Sequence, residues 1–290
     1  MIGFVYVLLS SLLFGIEPTF RSLVFQRGAS PAEVMLFNSL IMMLFVMFVC
    51  LAAKSDLRIG LRSALRLILL GGVGMWGTII LLSSSYELIP VGVASVVHFM
   101  YPTLVCLTMI IAFKRKLTWA AVLAMLFSVG GLVLICGGGS GLSLGGVALA
   151  FLSSITYTLY VVLIDKGRTC DVSVQVRLFY VFLGCLAASF ISASVLVTEL
   201  HDIGTKGYLG VALCSVMTFL ANYLFVAGVK RVGASAAAFF CLLEPVTSLV
   251  FSTLWYGYSF SCVSVLGCAV SIAAIVFALI DDKKPTGKAA

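Results

Sequence analysis

Charge is scarce in this chain of 290 residues: Asp and Glu number 11 together, His only 2, and charged residues make up 10% against 62% hydrophobic. With a mean hydropathy of +1.21, too little polar surface remains to coat a water-soluble globule of this length. That excludes a soluble enzyme, and the short connections between apolar runs leave no room for a separate catalytic domain. No GxxxxGK(S/T) loop occurs to hold ATP phosphates, so an ATP-driven pump finds no support within the chain. The nine cysteines lack CxxC spacing and read as packing residues; no metal, disulfide framework or cofactor is expected. The alternating decamers of an outer-membrane barrel are missing too.

What is present is a series of ten apolar runs, each close to the 20 or so residues that carry a helix across a roughly 30 Å bilayer core. They cover residues 2–24, 32–53, 65–89, 91–113, 118–137, 144–164, 173–198, 207–229, 233–254 and 261–280. The expected fold is an all-α integral membrane protein of ten transmembrane helices, with membrane lipid as its surroundings. The net charge of +7 fits a membrane better than a nucleic acid, because the basic residues cluster in alternate connections. Lys54, Arg58, Arg62, Arg66, the Lys114-Arg115-Lys116 run, Lys166, Arg168, Arg177, Lys230, Arg231 and the lysines of the tail fall on one side. Only Arg21, Arg27 and Lys206 fall on the other. The positive-inside rule then puts both termini in the cytoplasm of a multi-pass plasma membrane protein of bacterial inner-membrane type, with Cys170 facing inward. The first run carries no preceding Lys or Arg and is long enough to span, so it reads as a retained helix.

Shifting the chain by 143 residues lays Ser10-Ser11 on Ser153-Ser154, Phe14 on Tyr157, Pro102 on Pro245 and Leu117-Thr118 on Phe260-Ser261. Each half then holds five spans, an odd number, so the second half runs through the membrane upside down. The expected organisation is two inverted five-helix repeats, 1–140 and 141–280, with a cytoplasmic tail over 281–290. Inverted repeats are a design of secondary transporters, whose solute site lies near the bilayer midplane between the repeats.

Two carboxylates stand inside these runs, Glu17 before Pro18 and Glu244 before Pro245. An ionisable group at membrane depth costs roughly 3 kcal/mol or more, so it usually faces a partner or a solute route. Each proline, like Pro102 in span four, removes a backbone N–H and frees carbonyls in the preceding turn, making it a helix-break position. The shift of 143 places Glu17 on Tyr160 and Tyr101 on Glu244, so each half contributes one glutamate and one tyrosine. At 1.5 Å per residue, Tyr101 and Glu244 come about 15 and 16 Å from the span ends, close to the midplane, while Glu17 comes about 22 Å up span one.

At these residues the chain resembles the EamA-type transporters of the drug/metabolite transporter superfamily. The resemblance rests on Val91-Gly92-Val93-Ala94-Ser95 leading to Tyr101-Pro102-Thr103-Leu104, and on its second copy, Val232-Gly233-Ala234-Ser235-Ala236 leading to Leu243-Glu244-Pro245-Val246. These look like the family's small-residue entry into spans four and nine followed by a mid-helix proline. The resemblance covers the whole chain and implies ten spans, paired five-helix halves and a central cavity. It departs where the family often carries a Gly-Glu pair after the proline helix; here stand Phe113-Lys114-Arg115-Lys116 and Tyr256-Gly257-Tyr258.

The candidate substrate-binding residues are Glu17, Trp76, Tyr101, Tyr157, Tyr160, Asn222 and Glu244, and the candidates for proton coupling are Glu244, Glu17 and His98. Each has a plainer reading. Glu244 would serve as a structural group on carbonyls freed by Pro245, and Glu17 would pair with Arg21 one turn on. His98, Trp76, Phe239, Phe240 and the tyrosines would be packing residues, and Asn38 and Asn222 helix-helix contacts. The expected function is secondary active transport of a small polar metabolite by alternating access, with proton or cation coupling and with export favoured. The solute would be an amine, a quaternary ammonium compound or an amino acid. Two other classes compete: an intramembrane serine protease using Ser140 in Gly138-Gly139-Ser140-Gly141 with His98 or His201 as base, and a passive channel or scaffold.

Overall fold

The computed structural model describes residues 2–25, 27–86, 88–89, 91–136, 143–169, 171–197, 201–256 and 262–282. Ser140, Cys170 and the tail beyond residue 282 lie outside them. Among the described residues the chain is helical throughout, with no strand. The helices are α1 (Ile2–Phe25), α2 (Pro31–Ala52), α3 (Leu61–Leu69), a π-helical segment (Leu70–Trp76), α4 (Gly77–Ser85), α5 (Val91–His98), α6 (Tyr101–Ile111) and α7 (Trp119–Cys136) in the first half. The second half holds α8 (Leu144–Lys166), α9 (Val174–Leu196), α10 (Gly204–Val232), α11 (Ala234–Phe240), α12 (Leu243–Tyr256) and α13 (Cys262–Asp282). They make ten spans, because α3, the π segment and α4 run on as one helix over Leu61–Ser85, while α5–α6 and α11–α12 are each one broken span.

Local chemistry explains the ends. Ser30 and Glu33 form a capping box ahead of α2 with Pro31 in its first turn, where the missing N–H has no helical partner to lose. α10 stops at Gly233, whose φ of +82° is open to glycine at little cost. The Asp165 carboxylate then accepts the Ala234 N–H (3.1 Å) at the start of α11.

The repeat is visible in the element boundaries: Pro31 and Val174, Leu61 and Gly204, Val91 and Ala234, and Trp119 and Cys262 open elements 143 residues apart. It is visible in the packing as well. α1 lies along α10, and its counterpart α8 lies along the π segment and α4; α1 also meets α12, as α8 meets α6. α2 with α9 and α7 with α13 pair the remaining spans across the halves. The halves are therefore interleaved, and the core runs through the contact between them, including Tyr101, Tyr160, Phe182, Phe225 and Phe239.

Spans four and nine differ from the unbroken runs that hydrophobicity implies. The helix gives way at Phe99-Met100 and at Cys241-Leu242, just ahead of Pro102 and Pro245, where one amide donor is missing in each case. The backbone tightens there to three-residue bonds, from Met100 N–H to the Val97 carbonyl (3.2 Å) and from Leu242 N–H to the Phe239 carbonyl (3.1 Å). Tyr101 consequently opens the second half of span four, and Glu244 follows the opening Leu243 in span nine.

Candidate functional site

The break in span four and its surroundings assemble a ring cluster. Tyr157 on α8 stands edge-on to Tyr101 (centroids 4.6 Å) and stacks against Tyr160 (5.8 Å) and against Phe225 of α10 (6.4 Å). His98, the last residue of α5, adds a fourth side at 5.8 Å from Tyr157 and 5.5 Å from Tyr101. Its Nδ1 is hydrogen-bonded to the Ser153 hydroxyl (3.0 Å), which in turn donates to the Ala150 carbonyl (2.6 Å).

Glu244 enters this cluster from the break in span nine. It lies within electrostatic reach of Tyr101, Tyr157 and Cys241. Its Oε1 is buried and makes no hydrogen bond of good geometry, and the hydroxyls of Tyr101 and Tyr160 are in the same condition, although the Cys241 thiol is within reach of both Glu244 and Tyr101. Buried polar atoms are normally satisfied, so the Glu244 Oε1 and the Tyr101 hydroxyl, both within reach of Cys241, leave unmet hydrogen-bonding capacity at one place, whereas the Tyr160 hydroxyl lies toward Cys185 and Arg177. Cys241, fully buried, accepts from the Ser11 hydroxyl of α1 at 3.8 Å and borders the same space.

The other carboxylate goes elsewhere. A side chain added at Gly15 would meet the Glu244 carbonyl oxygen (2.7 Å) and the Thr247 side chain (2.6 Å), so Gly15 marks the face of α1 that touches α12. Glu17 is two residues on, about 200° around the helix. It faces α10 instead, where Thr218 Oγ1 lies 3.5 Å from its Oε1. Arg21 closes on the same oxygen through Nη2 (2.6 Å) and Nε (2.9 Å), and its Nη1 reaches Met35 Sδ of α2 (3.9 Å). Of the sequence candidates, then, Tyr101, Tyr157, Tyr160, Glu244 and His98 come together, and Glu17 sits in an ion pair apart from them.

Asn222 belongs with neither group directly: it is buried on α10 and donates to the Thr218 carbonyl (2.8 Å) one turn back. Trp76 ends the π segment, which touches the cluster through Gly74, where an added side chain would stand 3.1 Å from Tyr160 Cβ. Its indole N–H is buried without a partner. Pro102 is buried at the start of α6, and Pro18 and Pro245 lie within α1 and α12. Asn38 is buried on α2, with neither amide atom bonded. Ser153, Phe225 and Cys241 were not among the sequence candidates. Cys241 carried a signal nonetheless, since it is the residue 143 positions after His98.

Both histidines that a serine nucleophile would need are otherwise engaged. His98 is bonded to Ser153, and His201 donates its backbone N–H (2.7 Å) to Glu33 with its Nδ1 3.1 Å from the same oxygen. Among the described residues no cluster of His, Cys, Asp or Glu could hold a metal ion.

The EamA-like transporter family matches the chain twice, over residues 1–137 and 144–280. A solved structure described only as a crystal structure of a protein superposes with a TM-score of 0.81 at 19% identity, over 96% of each chain, which speaks for the fold. No curated protein matches the chain.

Proposed function

Because the chain belongs to the EamA-like transporter family, we propose that it is a secondary active transporter whose solute is a small metabolite with one positive charge, bound between Glu244 and the tyrosine cluster. It is a multi-pass membrane transporter of the drug/metabolite superfamily; the proposal concerns what it carries and how. The observation that supports it most is the buried Oε1 of Glu244, without a hydrogen bond of good geometry and within electrostatic reach of Tyr101 and Tyr157. A carboxylate balances a cation, and an aromatic face adds about 0.5 to 2 kcal/mol to holding it. An anion would meet repulsion there, and the arginine nearest in sequence to a central carboxylate, Arg21, is held by Glu17. With Glu17 neutralised, one carboxylate is left for the solute, which favours a single amine or quaternary ammonium group; an amino acid would enter by its ammonium end.

Alternating access between the inverted repeats, outward movement, and proton exchange through Glu244 with His98 as its neighbour are parts of the same proposal. A solute panel tests it. Amines and quaternary ammonium compounds should raise the thermal-unfolding midpoint and exchange across proteoliposomes, while dicarboxylates and sugar phosphates should do neither. Tyr160→Leu should weaken binding more than Tyr160→Phe, which keeps the ring. Tight binding of a phosphorylated anion that survives Glu244→Gln would overturn the cation reading and leave the family standing.

A further inference from the structure

α3 begins span three and carries an arrangement of charged and apolar residues outside the ring cluster and Glu244. Arg58, Arg62 and Arg66 recur at every fourth residue, and all three are exposed. Arg62 and Arg66 share a face of α3 one turn apart, and Arg58 lies in the lead-in just before the capping residue Gly60. Beside them runs a stripe of the same spacing, Leu61, Leu65 and Leu69, exposed by 74%, 49% and 63%. Among the described residues none of the three arginines is in an ion pair. Others on that side are committed: Arg115 to Asp281 (2.7 Å), and Arg231 to the Ala227 carbonyl (2.7 Å) and the Tyr6 ring.

The lead-in is held in place by α9. Gln175 Nε2 donates to Ser55 Oγ (3.1 Å) and the Tyr180 hydroxyl to the Leu57 carbonyl (2.9 Å). Asp56, the one carboxylate in the lead-in, accepts the backbone N–H of Arg58 (2.9 Å).

We propose that these two stripes bind an anionic phospholipid, the guanidinium groups of Arg58, Arg62 and Arg66 holding its phosphate and Leu61, Leu65 and Leu69 lying against its acyl chain. Guanidinium forks match phosphate oxygens two at a time, and the division into a charged stripe and an apolar one repeats the division within a lipid. Fixing the orientation of a span needs only positive charge on one side, which lysine provides as well; it does not need arginines left unpaired in register with bare leucines. The repeat supplies an internal comparison. The positions 143 residues on are His201, Thr205 and Leu209 beside Gly204, Tyr208 and Ala212, so the counterpart start of α10 has no such stripe.

Native mass spectrometry of the full chain, titrated with phosphatidylglycerol or phosphatidylcholine of matched acyl length, tests this. The wild type should retain phosphatidylglycerol preferentially, and that preference should fall about fivefold for each arginine changed to glutamine. It should vanish in the Arg58→Gln/Arg62→Gln/Arg66→Gln variant, and the single variants keep the test open if the triple one fails to insert. Inorganic phosphate at matched concentration should not displace the lipid. Equal retention of both lipids by the wild type, an undiminished preference in the glutamine variants, or full displacement by inorganic phosphate would each overturn the proposal.

Discussion

Glu17 and Glu244 look alike in the sequence, each ahead of a proline in an apolar run, yet they end in opposite surroundings. The four-residue step from Glu17 to Arg21 makes an ion pair legible from spacing alone, because the two side chains share a helix face. Its third member, Thr218, lies 201 residues away and could not be read. Nor could the direction of Glu17 around α1, which follows from Gly15 being pressed against α12. Breaking a buried pair by removing one partner costs about 3 to 5 kcal/mol, because the other charge is left uncompensated. Glu17→Gln should accordingly lower the thermal-unfolding midpoint in detergent, and adding Arg21→Met should recover most of the loss. The double variant should still transport. A single variant as stable as the wild type would show that the pair contributes little.

Among elements, the length of the spans was readable and their interruptions were not. Apolar content does not register the loss of one amide, so residues 91–113 and 233–254 read as single helices although each breaks two to four residues before its proline. Gly71, Gly72 and Gly74 lack side chains and so allow close helix approach and bending. That they sit in a π segment depends on α9, which no local pattern of span three contains. A side chain at Gly71 would collide with the Val181 carbonyl and one at Gly184 with the Ile68 carbonyl, so the two backbones touch at this crossing. Gly71→Ala and Gly184→Ala should each destabilise by about 1 to 3 kcal/mol through overpacking. Gly130→Ala, where an added side chain meets nothing within 4 Å, should be neutral or better. Chemical unfolding in mixed micelles would compare them, and equal effects at all three positions would remove the crossing as a constraint.

For the whole molecule, the shift of 143 carried most of the architecture, since an odd number of spans in each repeat fixes their inversion. The interleaving of α1 with α10 and of α8 with the π segment and α4 came only with the structure. The two copies also solve the same junction with opposite charges. Glu33 accepts N–H groups from Ser30 and His201 where α2 begins, and Arg177, the counterpart of the next residue, donates to the carbonyls of Ile164 and Val172 where α9 begins. In a variant keeping only Cys170, an impermeant thiol reagent should label broken cells and spare intact ones; labelling of intact cells would reverse the orientation.

The central claim is that one membrane-embedded carboxylate, Glu244, couples the solute to the transport cycle. Its most direct test is uphill accumulation of the best-bound amine in proteoliposomes under an imposed proton gradient, for wild type, Glu244→Gln and the Glu17→Gln/Arg21→Met double variant. Wild type and double variant should accumulate the amine, while Glu244→Gln should insert normally, lose most accumulation and leave a residual flux insensitive to pH. Accumulation by Glu244→Gln at the wild-type level, with the wild-type pH profile, would contradict the account.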